Sequence, residues 1–187
     1  MKVEVSIAEG EALDEVWELN HQVYCRELRQ HSLEPEGRKV DGRVDSAIYF
    51  VAHVDGVLAG MLSASLPGSA EFSTHARLPN NHPELYRAPE STEVRLLAVR
   101  SEYRGVGVYD ELIFALMKLA AARRLDRILI SAVVTQTRLY SMMGFVPIGT
   151  PVTEGGAELQ PMVLDRKDFE ASPYRLKRLA RMERCAQ

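Results

Sequence analysis

Cysteine is scarce in this chain: Cys25 and Cys185 are its two thiols and lie far apart. That excludes a disulfide framework or a cysteine-built metal site and leaves two free thiols as the expectation. The five histidines are scattered rather than clustered, so no metal is expected. A basic excess is missing too, since the formal charge is -3, and a general nucleic-acid binder is not expected. No apolar run is long enough to cross a bilayer, and the opening MKVEVSIAEGE lacks the apolar core of a signal peptide. The expectations are therefore no membrane partner and a cytoplasmic location. No internal repeat or low-complexity tract is visible.

The 187 residues present, 46% hydrophobic and 26% charged, fit one α/β globular domain with a sizeable core. We read residues 1–172 as that domain and 173–187 as a basic helical tail. Arg175, Lys177, Arg178, Arg181 and Arg184 give the tail a solvated or partner-packing face.

The chain is organised around Ser91 to Tyr109, STEVRLLAVRSEYRGVGVY. Glu93 to Val99 is a short, largely apolar run without a breaker, which predicts a buried strand. Arg104, Gly105, Val106, Gly107 and Val108 follow. Then Leu112, Ile113, Leu116, Met117, Leu119 and Ala120 recur at helical spacing. A glycine turn that opens a helix offers unpaired backbone N–H groups to an anion, and phosphate is the natural guest. A tight strand-to-helix turn without a ligand is the plainer reading of the same pattern.

Before this stretch, Val3, Val5 and Ile7 alternate with polar residues as in a half-buried strand. From Glu11 to about Leu28, apolar residues including Leu13, Val16, Trp17 and Leu19 predict one helix, with Trp17 in the core. His31 to Val44 reads as a loop whose Glu34, Glu36 and Asp41, with Asp45 just beyond, either attract an amine or form a solvated acidic surface. Ala47–Val54 and Val57–Leu66 flank Asp55-Gly56, a strong hairpin signal. Residues 67–89 hold four prolines, and this long loop is a candidate pocket border with His75 and His82 as polar contributors. Beyond the central helix, Arg127–Val134 predicts a strand parallel to Glu93–Val99. Phe145–Val152 and Leu159–Leu164 predict two more strands around a turn at 153–156.

AVRSEYRGVGVYDEL resembles the signature segment of the GNAT family of acyl-CoA-dependent N-acyltransferases, in which an Arg/Gln-x-x-Gly-x-Gly/Ala loop wraps the CoA pyrophosphate. Arg104 and Gly107 match that loop, Gly105 sits where glycine is common, and Tyr109 stands where the family prefers Gly or Ala. RLYSMMGFVPIG resembles a later family motif through Tyr140, Gly144 and Phe145. The resemblance implies a mixed, mostly antiparallel central sheet flanked by helices, with a splayed parallel strand pair. It implies acetyl-CoA or another acyl-CoA as co-substrate, held by Leu97, Val99, Arg104, Gly105, Val106, Gly107, Val108 and Tyr109. The acceptor is expected to be a small-molecule or peptide amine, and a homodimer is compatible with the family.

Acyl transfer to an amine needs a base, an oxyanion donor and an acid for the departing thiolate. The resemblance assigns these to Glu93, the Val99 backbone N–H and Tyr140. The plainer alternatives are a strand-end carboxylate in water for Glu93 and a packing ring for Tyr140, while Met142 and Met143 read as helix packing.

Residues 23–65 more loosely resemble the acyl-homoserine lactone and long-chain N-acyl amino acid synthases, GNAT-fold enzymes that draw acyl chains from acyl carrier protein. Those lactone synthases favour Glu-x-x-Arg in the central strand. Here Leu96 holds the arginine place, and strand alternation directs Arg95 to the other face. Tyr109 favours such a carrier donor, which has no CoA pyrophosphate to wrap. A third reading is a non-catalytic GNAT domain that binds an acyl thioester or a partner.

Overall fold

The computed structural model describes residues 2–65, 74 and 89–177. Its strands are β1 Val3–Ala8, β2 Ala47–Val54, β3 Val57–Ser65, β4 Ser91–Val99, β5 Arg127–Val133, β6 Val146–Pro147, β7 Val152–Glu154 and β8 Ala157–Asp165. The α-helices are α1 Leu13–Asn20, α2 Val108–Ala122, α3 Thr137–Met142 and α4 Arg166–Glu170, and residues 173–177 are also helical. The sheet is mixed and mostly antiparallel, with one parallel pair, β4 and β5. The described residues form two compact units: residues up to 65 with 94–123, and Thr74 and 89–93 with 124–177.

In the first unit the strands follow the hydrogen-bonded order β1-β2-β3-β4. The β2–β3 hairpin turns through Asp55 at φ 50° and Gly56 at φ 80°, the two positive angles of a turn whose twist suits the flanking strands. The register then slips between Ala52 and His53, which pair with Gly60 and Leu58. This bulge passes over Ala59, so Leu58 and Met61 face the same way despite their odd spacing. Both join Val16, Trp17, Leu19, Tyr49, Val51 and Ala98 in one buried cluster. The Trp17 ring meets Tyr49 edge-on at 5.2 Å, confirming it as a core residue. Gly60 faces Val108 and Leu112 of α2.

The expected single helix from Glu11 to Leu28 is three segments: a 3-10 turn Gly10–Ala12, α1, and a π-helical stretch His21–Glu27. β1 also departs from expectation at Ile7, which is 50% exposed; β1 is an end strand, pairing with β2 alone among the described residues.

In the second unit the first residues of β4 pair parallel to β5 over three positions, Ser91 to Glu93 against Arg127 to Leu129. β5 then runs antiparallel to β8 from Arg127↔Asp165 to Val133↔Leu159, and β6 and β7 pair with β8. The strand expected over Phe145–Val152 is broken into β6 and β7. Pro147 and Pro151 cannot donate to a ladder. Between them only the Ile148 N–H reaches β8 among the described backbone bonds, at 2.9 Å to the Pro161 carbonyl, and the Gln160 amide donates to the carbonyls of Ile148 at 3.2 Å and Gly149 at 3.4 Å. The long loop at 67–89, with His75 and His82, lies outside the described residues except for Thr74 and Pro89, as does the tail beyond 177 with Cys185. No described helix is long and apolar enough to cross a membrane.

A Cβ on Gly60 would lie 2.8 Å from Val108 Cγ1 and 2.9 Å from the Ala98 carbonyl oxygen. Gly60→Ala therefore forces α2 away from β3, and urea unfolding should show a loss of about 1–3 kcal/mol. A loss below about 0.5 kcal/mol would mean the helix moves at little cost.

Candidate functional site

The turn between β4 and α2 is built by two glycines in the left-handed region, Gly105 at φ 83° and Gly107 at φ 98°, with Gly107 capping the helix. A Cβ on either would meet no protein atom within 4 Å. Glycine is thus required for backbone conformation rather than for room against the protein. The N–H groups of Gly105, Val106 and Gly107 donate to no partner among the described residues. They sit beside the positive end of a 15-residue helix, a setting suited to an anion. Val106 is exposed, Tyr109 is half-buried, and Val108 is buried in the core, so Val108 can offer a ligand its backbone but not its side chain.

Arg104 is anchored at two points. Its Nε donates to the Val99 carbonyl at 3.0 Å, and its Nη2 meets Glu27 Oε2 at 2.5 Å. Three side chains of the π-helical stretch reach the end of β4 and the turn. Tyr24 donates its hydroxyl to the Leu97 carbonyl at 3.1 Å, Gln22 accepts from Arg100 at 2.8 Å, and Glu27 holds Arg104. Arg100 also donates to the Leu58 carbonyl at 2.7 Å. Leu97, Val99 and Arg104, expected to serve one ligand, are thus brought together. The residues that hold them, Gln22, Tyr24 and Glu27, were not found from sequence, because periodicity does not mark a π-turn. Within β4, Leu96 is left-handed at φ 50°, which interrupts the alternation of side chains.

In the second unit Glu93 is 1% exposed, so the water-exposed alternative for it does not hold. Its Oε1 accepts from both the backbone N–H and the hydroxyl of Thr74, itself fully buried, and Ser131 Oγ donates to Thr74 Oγ1 at 3.3 Å. Tyr140 is carried by α3, and its ring packs edge-on against Phe145 at 5.7 Å. Its hydroxyl has no hydrogen-bond partner among the described residues, and burial pushes its pKa up to about 12. No hydrogen bond joins Glu93 to Tyr140. Met143 is buried, as packing requires, whereas Met142 is 48% exposed.

The acidic loop differs from both readings of it at Asp41, which is neither solvated nor open to an amine. Asp41 is 4% exposed and accepts from the Tyr49 hydroxyl at 2.7 Å and the Arg43 N–H at 3.2 Å. Arg95 approaches both carboxylate oxygens, at 3.1 and 3.3 Å. Burial, then the hydrogen bond to Asp41, raises the Tyr49 pKa well above the usual phenol range. Among the described residues no three His, Cys, Asp or Glu side chains converge as a metal site, and burial raises the Cys25 thiol.

Residues 84–166 match the family model for the Acetyltransferase (GNAT) domain, a span that includes the whole glycine turn, Glu93 and Tyr140. Solved structures share the fold over most of the chain. The lactone synthase LasI is 18% identical with a TM-score of 0.71, covering 88% of this chain and 90% of its own. The CoA-dependent acyl-homoserine lactone synthase BjaI, solved with SAM and isopentyl-CoA, is 18% identical with a TM-score of 0.69, covering 85% and 79%. FeeM, an N-acyl amino acid synthase from uncultured soil microbes, is 16% identical with a TM-score of 0.68, covering 91% and 94%. Among curated proteins, none matches this sequence significantly. With the mixed sheet, the parallel pair and the flanking helices, these likenesses make the chain a GNAT-fold protein.

Two outcomes follow from the buried polar groups. Asp41→Asn leaves Arg95 without its counter-charge. Because Arg95 is a quarter exposed, a loss of roughly 3 kcal/mol in chemical denaturation is expected, the low end for a broken buried pair. For Tyr140, a folded pKa above the unfolded value means that its stabilisation is complete below about pH 10 and is lost as pH rises toward about 12. Between those values the stability of Tyr140→Phe should decline less steeply than that of the parent protein. Parallel declines would show that the phenol is not desolvated.

Proposed function

We propose that the protein is an N-acyltransferase that moves an acetyl or other acyl group from acyl-CoA directly to an amine. The observation that carries this reading is the Gly105–Gly107 turn, whose N–H groups, unpaired among the described residues, and helix start follow β4 within the span of the GNAT domain match. In this reading Leu97, Val99 and residues 104–109 bind the donor. The N–H groups of the turn and the Arg104 guanidinium take its phosphates, and the Val99 N–H supports the carbonyl oxygen as negative charge develops on it.

The acceptor nitrogen attacks the thioester carbonyl, the C–N bond forms, and the C–S bond breaks with its electron pair passing to sulfur. Glu93 takes the proton from nitrogen, directly or through water, and Tyr140 supplies one to the thiolate. A phenol held neutral to about pH 12 keeps that proton throughout the neutral range. Buried Thr74 holds Glu93 by two hydrogen bonds, which fix the orientation of its carboxylate.

A second reading is a synthase that uses an acyl carrier protein and an amino-acid-derived amine. The carrier donor is favoured by Tyr109, where bulk replaces the family's small residue, and the synthase class by the likeness to FeeM and LasI.

Thermal unfolding with acetyl-CoA, a long-chain acyl-CoA and phosphopantetheine tests the donor. A ligand at about 100 times its dissociation constant should add roughly 2.7 kcal/mol. Stabilisation by acetyl-CoA supports the first reading, preference for the long chain moves it toward the synthases, and no response to any donor overturns the acyl-CoA reading. With a responding donor, Glu93→Gln should lower turnover roughly 10²- to 10⁴-fold in a thiol-release assay. Unchanged turnover and an unchanged pH profile would remove Glu93 from the mechanism.

A further inference from the structure

We propose that Glu27 sets the donor preference of the glycine turn. It acts as an internal anion that competes with donor phosphates for Arg104 and disfavours the CoA polyanion relative to a pantetheine thioester. This inference rests on reading residues 104–109 as the donor-binding turn.

The Glu27 carboxylate is fixed on both oxygens. Oε2 lies 2.5 Å from Arg104 Nη2, and Oε1 accepts from Gln22 Nε2 at 3.4 Å. Gln22 is itself held by Arg100, and Arg100 by the Leu58 carbonyl. The π-helical stretch that carries Glu27 is tied to β4 through Tyr24 and Leu97. Arg104 has little freedom to leave, because its Nε is committed to the Val99 carbonyl. A guanidinium fork engaged in this way serves an incoming phosphate only by sharing or releasing the carboxylate.

The surrounding charge acts in the same direction. Between residues 100 and 111, Arg100 and Arg104 stand against Glu102, Asp110 and Glu111, and Glu27 adds a further negative charge at the turn. Coenzyme A carries a pyrophosphate and a 3′-phosphate, about four negative charges, whereas the phosphodiester of a carrier-bound pantetheine carries one. Repulsion from Glu27 therefore weighs more on CoA than on the pantetheine donor. The carboxylate is about 29% exposed, so screening limits the effect to a moderate factor.

The test measures dissociation constants of CoA, 3′-dephospho-CoA and phosphopantetheine by calorimetry, for the full chain and its Glu27→Gln and Glu27→Asp variants. Glu27→Gln should tighten CoA about three- to tenfold, and should tighten 3′-dephospho-CoA and free phosphopantetheine, each with about two negative charges, by less, with the gain shrinking at high salt. Glu27→Asp, which keeps the charge, should retain the parent's order of affinities. In an Arg104→Gln background the gain from Glu27→Gln should shrink to the part left by direct repulsion. An equal gain for all three ligands, no gain for CoA, or a gain undiminished without Arg104 would overturn the proposal while leaving the acyl-CoA reading intact. Failure of CoA and phosphopantetheine alike to bind the parent protein would overturn both.

Discussion

The first unit depends on one residue held against its own preference. Leu96 sits in β4 at φ 50°, a conformation that costs an L-residue roughly 1–2 kcal/mol and is retained because its neighbours fix it from several sides. Arg95 is bound to buried Asp41, the Leu96 side chain packs against the Trp17 cluster, and the Leu97 carbonyl takes the Tyr24 hydroxyl. A regular strand would send these three successive residues to alternating faces. The left-handed step breaks that order and ties the middle of β4 to the acidic loop, the core and the π-helical stretch at once.

Buried polar groups extend this logic through the molecule. Asp41, Tyr49 and Arg95 satisfy one another inside the first unit, and Glu93, Thr74 and Ser131 form a hydrogen-bonded chain inside the second. An isolated charge at such sites would be expensive to bury; a partnered one holds its position. Both carboxylates are therefore orienting centres, one for the loop before β2 and the other for the start of β4. The π-helical stretch does comparable work on the surface, where Gln22, Tyr24 and Glu27 set the stance of Arg100, β4 and Arg104.

Much of this was readable in the chain. The Asp55-Gly56 hairpin, the β4–turn–α2 unit, the strand after it and the place of Trp17 in the core all follow from patterns that act over a few residues. The glycine spacing at 105 and 107 located the turn because a left-handed backbone needs glycine. Alternation failed at Leu96, whose neighbours Asp41 and Trp17 are distant in sequence, and at the bulge beside Ala59, which is set by the register between two strands rather than by the pattern of one. Helical periodicity ran through His21–Glu27 without revealing the wider turn. The acidic composition of the loop before β2 pointed to a solvated surface, and Arg95, 54 residues later, made Asp41 an interior group instead.

By itself, then, the sequence determined the local elements, the family likeness and the identity of the chemical groups, because each of these is set by side chains near one another along the chain. Which carboxylates are buried, which arginine is already engaged, and which phenol lacks a partner among the described residues were decided by the tertiary structure. Desolvation and hydrogen-bond pairing belong to groups that meet only when Tyr24 reaches Leu97, Glu27 reaches Arg104 and Thr74 closes over Glu93.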